Sequence, residues 1–152
     1  MNALKFTPVG FPAKITGGSI HIGMGSNYPS GVNLTLPFQV IVYDATGTGG
    51  TPGNALAGPF EVVPAAFGWV EFTLHAPVTI NAGSFFIAMV QGGNPPNASG
   101  IAIDETNPQF RSYSRFVSGG SAWFPAGGNF MIRAKCTGSG GPVFLDSQSV
   151  AA

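Results

Sequence analysis

The side chains able to do acid–base, nucleophilic or metal chemistry are few and scattered. In 152 residues there are two histidines, His21 and His75, one cysteine, Cys136, and six carboxylates. Neither histidine stands in a ligand pattern with a second His, a Cys or a carboxylate, so neither predicts a metal centre. A serine hydrolase elbow, G-x-S-x-G, is missing as well. Asp104 and Glu105 are adjacent, and an extended chain sends them to opposite faces, which is poor geometry for a paired acid and base. Asp104 is expected instead to cap a turn or to pair with Arg111 or Arg115. Calcium takes six to eight oxygens; Asp104, Glu105 and nearby loop carbonyls are the combination that would have to supply them. No other cofactor is expected, and no catalytic, cofactor-binding or metal residue is assigned. Cys136 has no second cysteine to pair with. It reads as a small core residue at a strand end, because Arg133 and Lys135 alternate to the opposite face and would not lower its pKa.

The glycine-rich run at residues 45–54, ATGTGGTPGN, resembles a phosphate loop only superficially. A Walker loop needs a lysine at its end to meet the phosphates, and there is none here. The aromatic side chains are more suggestive. A ring with an apolar face and a polar tip suits a sugar, and Trp123, Tyr28 and Tyr113 are the candidate glycan contacts. Trp69 and Tyr43 read as sheet cover. A third kind of candidate is the apolar patch Val143, Phe144 and Leu145, which follows the glycine-rich stretch TGSGG and could add as a strand to an exposed sheet edge.

The elements that must position these residues are strands. Residues 83–91, GSFFIAMVQ, hold an unbroken apolar run between glycines, too short for a membrane span. Its aromatic and β-branched content predicts a strand buried on both faces, with Phe85, Ile87 and Met89 to one side and Phe86, Ala88 and Val90 to the other. Ile20, Ile22 and Met24 share a face after the pair Gly17-Gly18, which suits a bulge. Phe38, Val40 and Val42 alternate with Gln39, Ile41 and Tyr43. Val70, Phe72 and Leu74 alternate with Trp69, Glu71 and Thr73, and Phe130, Ile132 and Ala134 alternate with Met131, Arg133 and Lys135. Shorter strands are expected at the amino terminus and over residues 59–63, 77–80, 101–104, 111–116 and 122–124, with a loop at 25–31. No stretch of twelve residues has helical periodicity. Eight to ten short strands with frequent turns predict an all-β, antiparallel, jelly-roll-like sandwich over residues 1–136. Residues 137–152 then form a glycine-rich linker and apolar tail.

Composition narrows the partners. Six basic and six acidic residues cancel, and charged residues are only 8% of the chain. Nucleic acid and anionic membranes both select a basic excess, so neither is an expected partner. No run is long enough for membrane insertion. The sparse charge also weakens repulsion between copies, which favours a protein partner, the chain itself included. The amino terminus has no apolar run of signal-peptide length.

The ordered set FTPVGFPAKITGGSIHI, FQVIVYD with GTGGTPGN, GWVEFTL, SFFIAMVQ, IAIDETNP with RSYS, and GNFMIRA resembles a bacterial module. It is similar to the β-sandwich, jelly-roll-like accessory domains of large secreted and cell-surface proteins. The resemblance spans residues 6–135. It implies a non-catalytic extracellular or cell-surface module, of a kind often found beside peptidase or adhesive domains, and carries over no catalytic or ligand residues. Two functions follow for testing: protein–protein contact or self-assembly through residues 143–145, and carbohydrate binding through exposed aromatics.

Overall fold

A computed structural model describes residues 1–23, 35–94, 96–118 and 120–138, together with the backbone of 143–145. Met24, the loop expected at 25–31 and Tyr28 lie outside the described residues. The strands are β1 (Asn2–Phe6), β2 (Ala13–Ile22), β3 (Phe38–Asp44), β4 (Ala55–Val62), β5 (Gly68–Ile80), β6 (Phe85–Gln91), β7 (Ile103–Asp104), β8 (Ser112–Ser114), β9 (Phe124–Pro125), β10 (Asn129–Phe130), β11 (Ile132–Thr137) and β12 (Val143–Leu145). One turn of 3-10 helix, Thr48–Gly50, sits in the β3–β4 connection.

The apolar run at 85–90 is strand β6, third in a six-stranded antiparallel sheet of order β4-β3-β6-β1-β8-β9. A four-stranded sheet, β12-β11-β2-β5, faces it, and a short ribbon pairs β10 with β7. One core joins the two sheets. Phe85, Ile87, Met89, Leu4, Phe38 and Val40 come from the first sheet, and Ile15, Ile20, Ile22, Phe72 and Ile132 from the second. The stacked rings of Phe6 and Phe85 lie 5.3 Å apart at its centre. Phe60 of β4 meets Phe72 of β5 at 5.9 Å and closes one side of the sandwich.

The other face of β6 is covered too. Phe86 and Ala88, with Ala3 of β1, form a second buried cluster under Tyr43, Tyr113, Trp123 and Met1. Both phenylalanines are fully buried. The required cover is therefore a layer of aromatic side chains standing on the sheet's own outer surface.

The glycine pair makes the bulge. Across β2 and β11, Ile15 faces Cys136 while Gly17 faces Lys135, so Thr16 is the extra residue. One inserted residue reverses the alternation. That reversal lets Ile15 point into the same core as Ile20 and Ile22. A Cβ on Gly18 would run into the carbonyl oxygen of Arg133 and the ring of Phe72, and one on Gly17 into the carbonyl of Phe72.

The pieces expected at 68–74 and 77–80 form one strand, β5. Pro77 does not end it because residues 74–77 bulge out opposite Thr16 alone, and β5 lies at a sheet edge. Proline is tolerated at such places.

Beyond β7, the buried Asn129 holds the chain in place. Its Oδ1 accepts from the Gln109 N–H at 2.8 Å, and its Nδ2 donates to the Asn107 carbonyl at 2.8 Å. The Phe130 N–H donates to Ser112 Oγ at 2.9 Å. Asn129 and Ser112 are both fully buried and both satisfied. Together they deliver β8, and so Tyr113, to the outer aromatic layer.

Because β6 is enclosed on both sides, truncation on either side should open a cavity. Phe85→Ala and Phe86→Ala are each expected to cost about 3–5 kcal/mol in urea unfolding. A strand covered on one side only would show a large loss for one variant and a small loss for the other.

Candidate functional site

The outer layer gathers most of the aromatic candidates. Tyr113 meets Phe86 edge to face at 5.6 Å, and Tyr43 meets Trp123 edge to face at 6.2 Å. The Arg115 guanidinium lies over the Trp123 ring at 5.3 Å, and Lys5 Nζ lies 5.7 Å from the Phe86 ring centre while donating to the Gly50 carbonyl at 3.1 Å. Trp123 and Tyr113 are thus half-buried pieces of the layer that roofs β6, neighbours in one cluster. Burial raises the Tyr43 phenol above its ordinary range, partly offset by the Arg115 charge. None of these rings stands free as a platform.

Beside this layer lies a cleft of about 620 Å³, where β1 begins and β6 and β8 end. Its polar wall crosses three strands: Ser114 Oγ donates to Asn2 Oδ1 at 3.0 Å, and Asn2 Nδ2 donates to Gln91 Oε1 at 3.3 Å. Gln91 Nε2 is fixed in turn by the Ser99 carbonyl at 3.0 Å. Its apolar wall is Phe116, Val117 and Phe124, the two rings 5.6 Å apart. Phe116 is 66% exposed and Phe124 40% exposed. Ser121 Oγ staples this hairpin, accepting from the Phe116 N–H at 2.9 Å and donating to its carbonyl at 3.1 Å. Arg115 lines the same cleft, and its Nε is buried with no hydrogen-bond partner. Single-sequence reading missed Phe116, Phe124 and Arg115, since only the β8–β9 pairing of Ser114 with Phe124 brings them together.

The carboxylates expected to do no chemistry build turns. Asp44 Oδ1 accepts from Thr46 Oγ1 at 2.6 Å, the Thr46 N–H at 3.1 Å and the Asn54 N–H at 2.8 Å, while Oδ2 accepts from Asn54 Nδ2 at 3.1 Å. The glycine-rich run at 45–54 is thereby tied back on itself. These bonds, the one from the Thr46 hydroxyl foremost, together outweigh the opposing effect of desolvation and hold the Asp44 carboxyl down at about 2. Asp104 repeats the device: its Oδ1 accepts from the Thr106 N–H at 2.9 Å and Thr106 Oγ1 at 2.6 Å. It caps a turn, one of the two roles expected for it. The shared spacing, Asp-Ala-Thr at 44–46 and Asp-Glu-Thr at 104–106, is the signal that marks both turns in the sequence.

The remaining candidates lie apart. His21 is on the outer face of β2, 5.2 Å from the Trp69 ring, which the Arg133 guanidinium covers at 3.9 Å. His75 is in the β5 bulge against Phe60. Cys136 is buried in the main core, and burial pushes its thiol up to about 11. Among the described residues no group of three His, Cys, Asp or Glu side chains gathers as a metal site. The stretch Val143, Phe144 and Leu145 forms β12, whose backbone pairs with β11 in the register Cys136 with Val143, Lys135 with Phe144 and Ala134 with Leu145.

Fold and site together define an antiparallel, all-β module with a cleft at one end of its larger sheet. Over 101 residues, 64% of this chain, it is 36% identical to Bacillopeptidase F of Bacillus subtilis (strain 168). The chain spans 7% of the length of that curated relative. No family model matches the chain, and no solved structure matches it.

The Asp44 clasp makes stability pH-dependent in a known direction. The folded carboxyl titrates near 2 against an ordinary 3.8, so its contribution is complete above about pH 4 and is lost as pH falls through 2. Asp44→Asn should flatten the acid limb of the melting temperature between pH 4 and 2, modestly, because the group is exposed and salt-screened. The Cys136 thiol should resist alkylation at pH 8 in the folded protein and react promptly in urea, followed by mass spectrometry.

Proposed function

We propose that this chain is a non-catalytic module of a larger secreted bacterial protein. We propose further that it makes protein–protein contact by strand pairing at the β11–β12 edge of its smaller sheet, with a second copy of itself as the first partner. The similarity to a short segment of a long peptidase supports an accessory role. So does the employment of the ionisable groups, since Asp44 and Asp104 are spent on turns and Cys136 is held as a neutral thiol.

The observation that carries the contact reading is the placing of proline at the sheet edges. Of the four strands at the edges of the two larger sheets, β4 carries Pro59, β5 carries Pro77 and β9 carries Pro125. Proline has no N–H to offer an incoming strand, and natural proteins use it to blunt edges. Pro59 and Pro77 also sit where the pairing register slips. Among these four, β12 is the edge without proline, and β11 already accepts an added apolar strand there. The same pairing made between two chains would join them with no new chemistry.

Phe144→Pro takes the N–H from the middle of β12. Analytical ultracentrifugation over a hundredfold range of concentration should show the wild type associating and this variant remaining a monomer. A wild type that is monomeric throughout, with a variant of unchanged sedimentation and melting temperature, would dispose of the proposal.

A further inference from the structure

We infer that the cleft formed by Asn2, Gln91, Ser114, Phe116 and Phe124 binds an uncharged sugar, a pyranose with equatorial hydroxyls in a neutral polysaccharide. The cleft lies on the larger sheet and uses none of β11 or β12, so sugar binding and edge pairing can fail independently.

The floor is one face of four neighbouring strands. In register, Phe124 of β9 lies beside Ser114 of β8, Ser114 beside Asn2 of β1, and Asn2 beside Met89 of β6. Gln91 stands two residues past Met89, on the same face. This face also carries the main core, where Leu4, Phe38 and Met89 are buried. Towards the end of the sheet it changes from apolar side chains to amides and a hydroxyl. There Asn2, Gln91 and Ser114 are only half-buried, and Phe124 is exposed. Phe116 is exposed as well, with its ring 5.6 Å from that of Phe124.

A pyranose with equatorial hydroxyls has C–H bonds on its two faces and hydroxyls around its rim. Its face suits an aromatic ring, and the rim then reaches sideways past that ring. Rings and polar groups lie side by side here in the same way. Neighbouring strands are about 4.8 Å apart, so Ser114 and Asn2 stand one and two strand spacings from Phe124. The polar groups are oriented in advance. Ser114 donates to Asn2, Asn2 to Gln91, and Gln91 to the Ser99 carbonyl. An amide has two donor hydrogens and two lone pairs, so each keeps capacity to donate and to accept, as sugar hydroxyls do. The volume, about 620 Å³, falls in the range of sites that enclose a small ligand.

The cations beside the cleft are committed elsewhere. Arg115 borders it, but its guanidinium lies over Trp123 on the outer side of the sheet. The Met1 amino group donates to the Arg115 carbonyl at 3.0 Å. A charged ligand would give up water without gaining a matched partner, a cost that a neutral one avoids. A peptide offers one amide and one carbonyl per residue, whereas a pyranose offers several hydroxyls around one ring, which a continuous row of amides and a hydroxyl can use.

The test is isothermal titration calorimetry on the whole chain with cellotriose, a neutral trisaccharide of equatorial hydroxyls, and with trigalacturonate as the charged comparison. Saturable binding of cellotriose is expected, tighter than that of trigalacturonate. Phe124→Ala should weaken it about tenfold, the loss of one ring contact. Phe116→Leu, at a more exposed ring, supplies the same reading if Phe124→Ala melts early. Trp69→Ala, which removes a ring from the smaller sheet, should leave binding unchanged. No binding of cellotriose at millimolar concentration, tighter binding of trigalacturonate, or full binding by both phenylalanine variants would each overturn the inference. So would capture of a short uncharged peptide in preference to the trisaccharide.

Discussion

The structure depends on the enclosure of β6 from both sides. A strand with Phe85, Ile87 and Met89 below and Phe86 and Ala88 above cannot lie at the surface of a sandwich unless something roofs it. Burying a side chain of this size contributes roughly 1.5–3 kcal/mol, and a domain's net stability is only about 5–15 kcal/mol. The cover over Phe86 is therefore a large fraction of what keeps the chain folded. It explains why β1, the first segment of the chain, lies beside β6, with Ala3 against Ala88. A small residue there lets Tyr113 and Trp123 lean across and close the layer.

With so few charges, the basic side chains are held in an unusual way. Three of the six, Lys5, Arg115 and Arg133, lie over the rings of Phe86, Trp123 and Trp69. Arg111 uses its Nε on the Lys5 carbonyl and its Nη2 on Thr7 Oγ1. The acids follow the same habit, since Asp44 and Asp104 take hydroxyl and amide donors from their own turns. Each of these six charges is fixed locally by a ring, a carbonyl, an amide or a hydroxyl. Such contacts lose less to salt than exposed ion pairs do, which suits a neutral module whose surroundings set the ionic strength.

What could be read from the chain was whatever has a period of two. The inward faces of β2, β3, β5, β6 and β11 follow alternation, so Ile20, Val40, Phe72, Ile87 and Ile132 are in the core as expected. The glycine pair marked the bulge because only glycine tolerates a carbonyl that close. Non-local pairing was illegible. Nothing near Asn2 says that it faces both Met89 and Ser114, and Pro77 concealed the continuity of β5 because the bulge at residues 74–77 has no glycine to mark it. The aromatic candidates show the same limit. Tyr113 and Trp123 stand out in the chain as rings with polar tips, but Phe86 and Tyr43, which meet them edge to face, come from two other segments, so the roof they form is set by non-local packing.

That packing separates the rings of the larger sheet into two kinds. A ring that must shield Phe86 cannot also be surrendered to a ligand, since exposing it would uncover the core each time the ligand left. The rings free to meet solvent are those one step further along the β8–β9 hairpin, Phe116 and Phe124, which the Ser121 staple presents without asking them to roof anything. Arg115 stands at the boundary, one residue from Ser114 in the cleft wall and stacked on Trp123 in the roof. Its backbone N–H donates to the Met1 carbonyl at 2.9 Å, so the segment that carries the roof is tied to the start of β1 at the edge of the cleft.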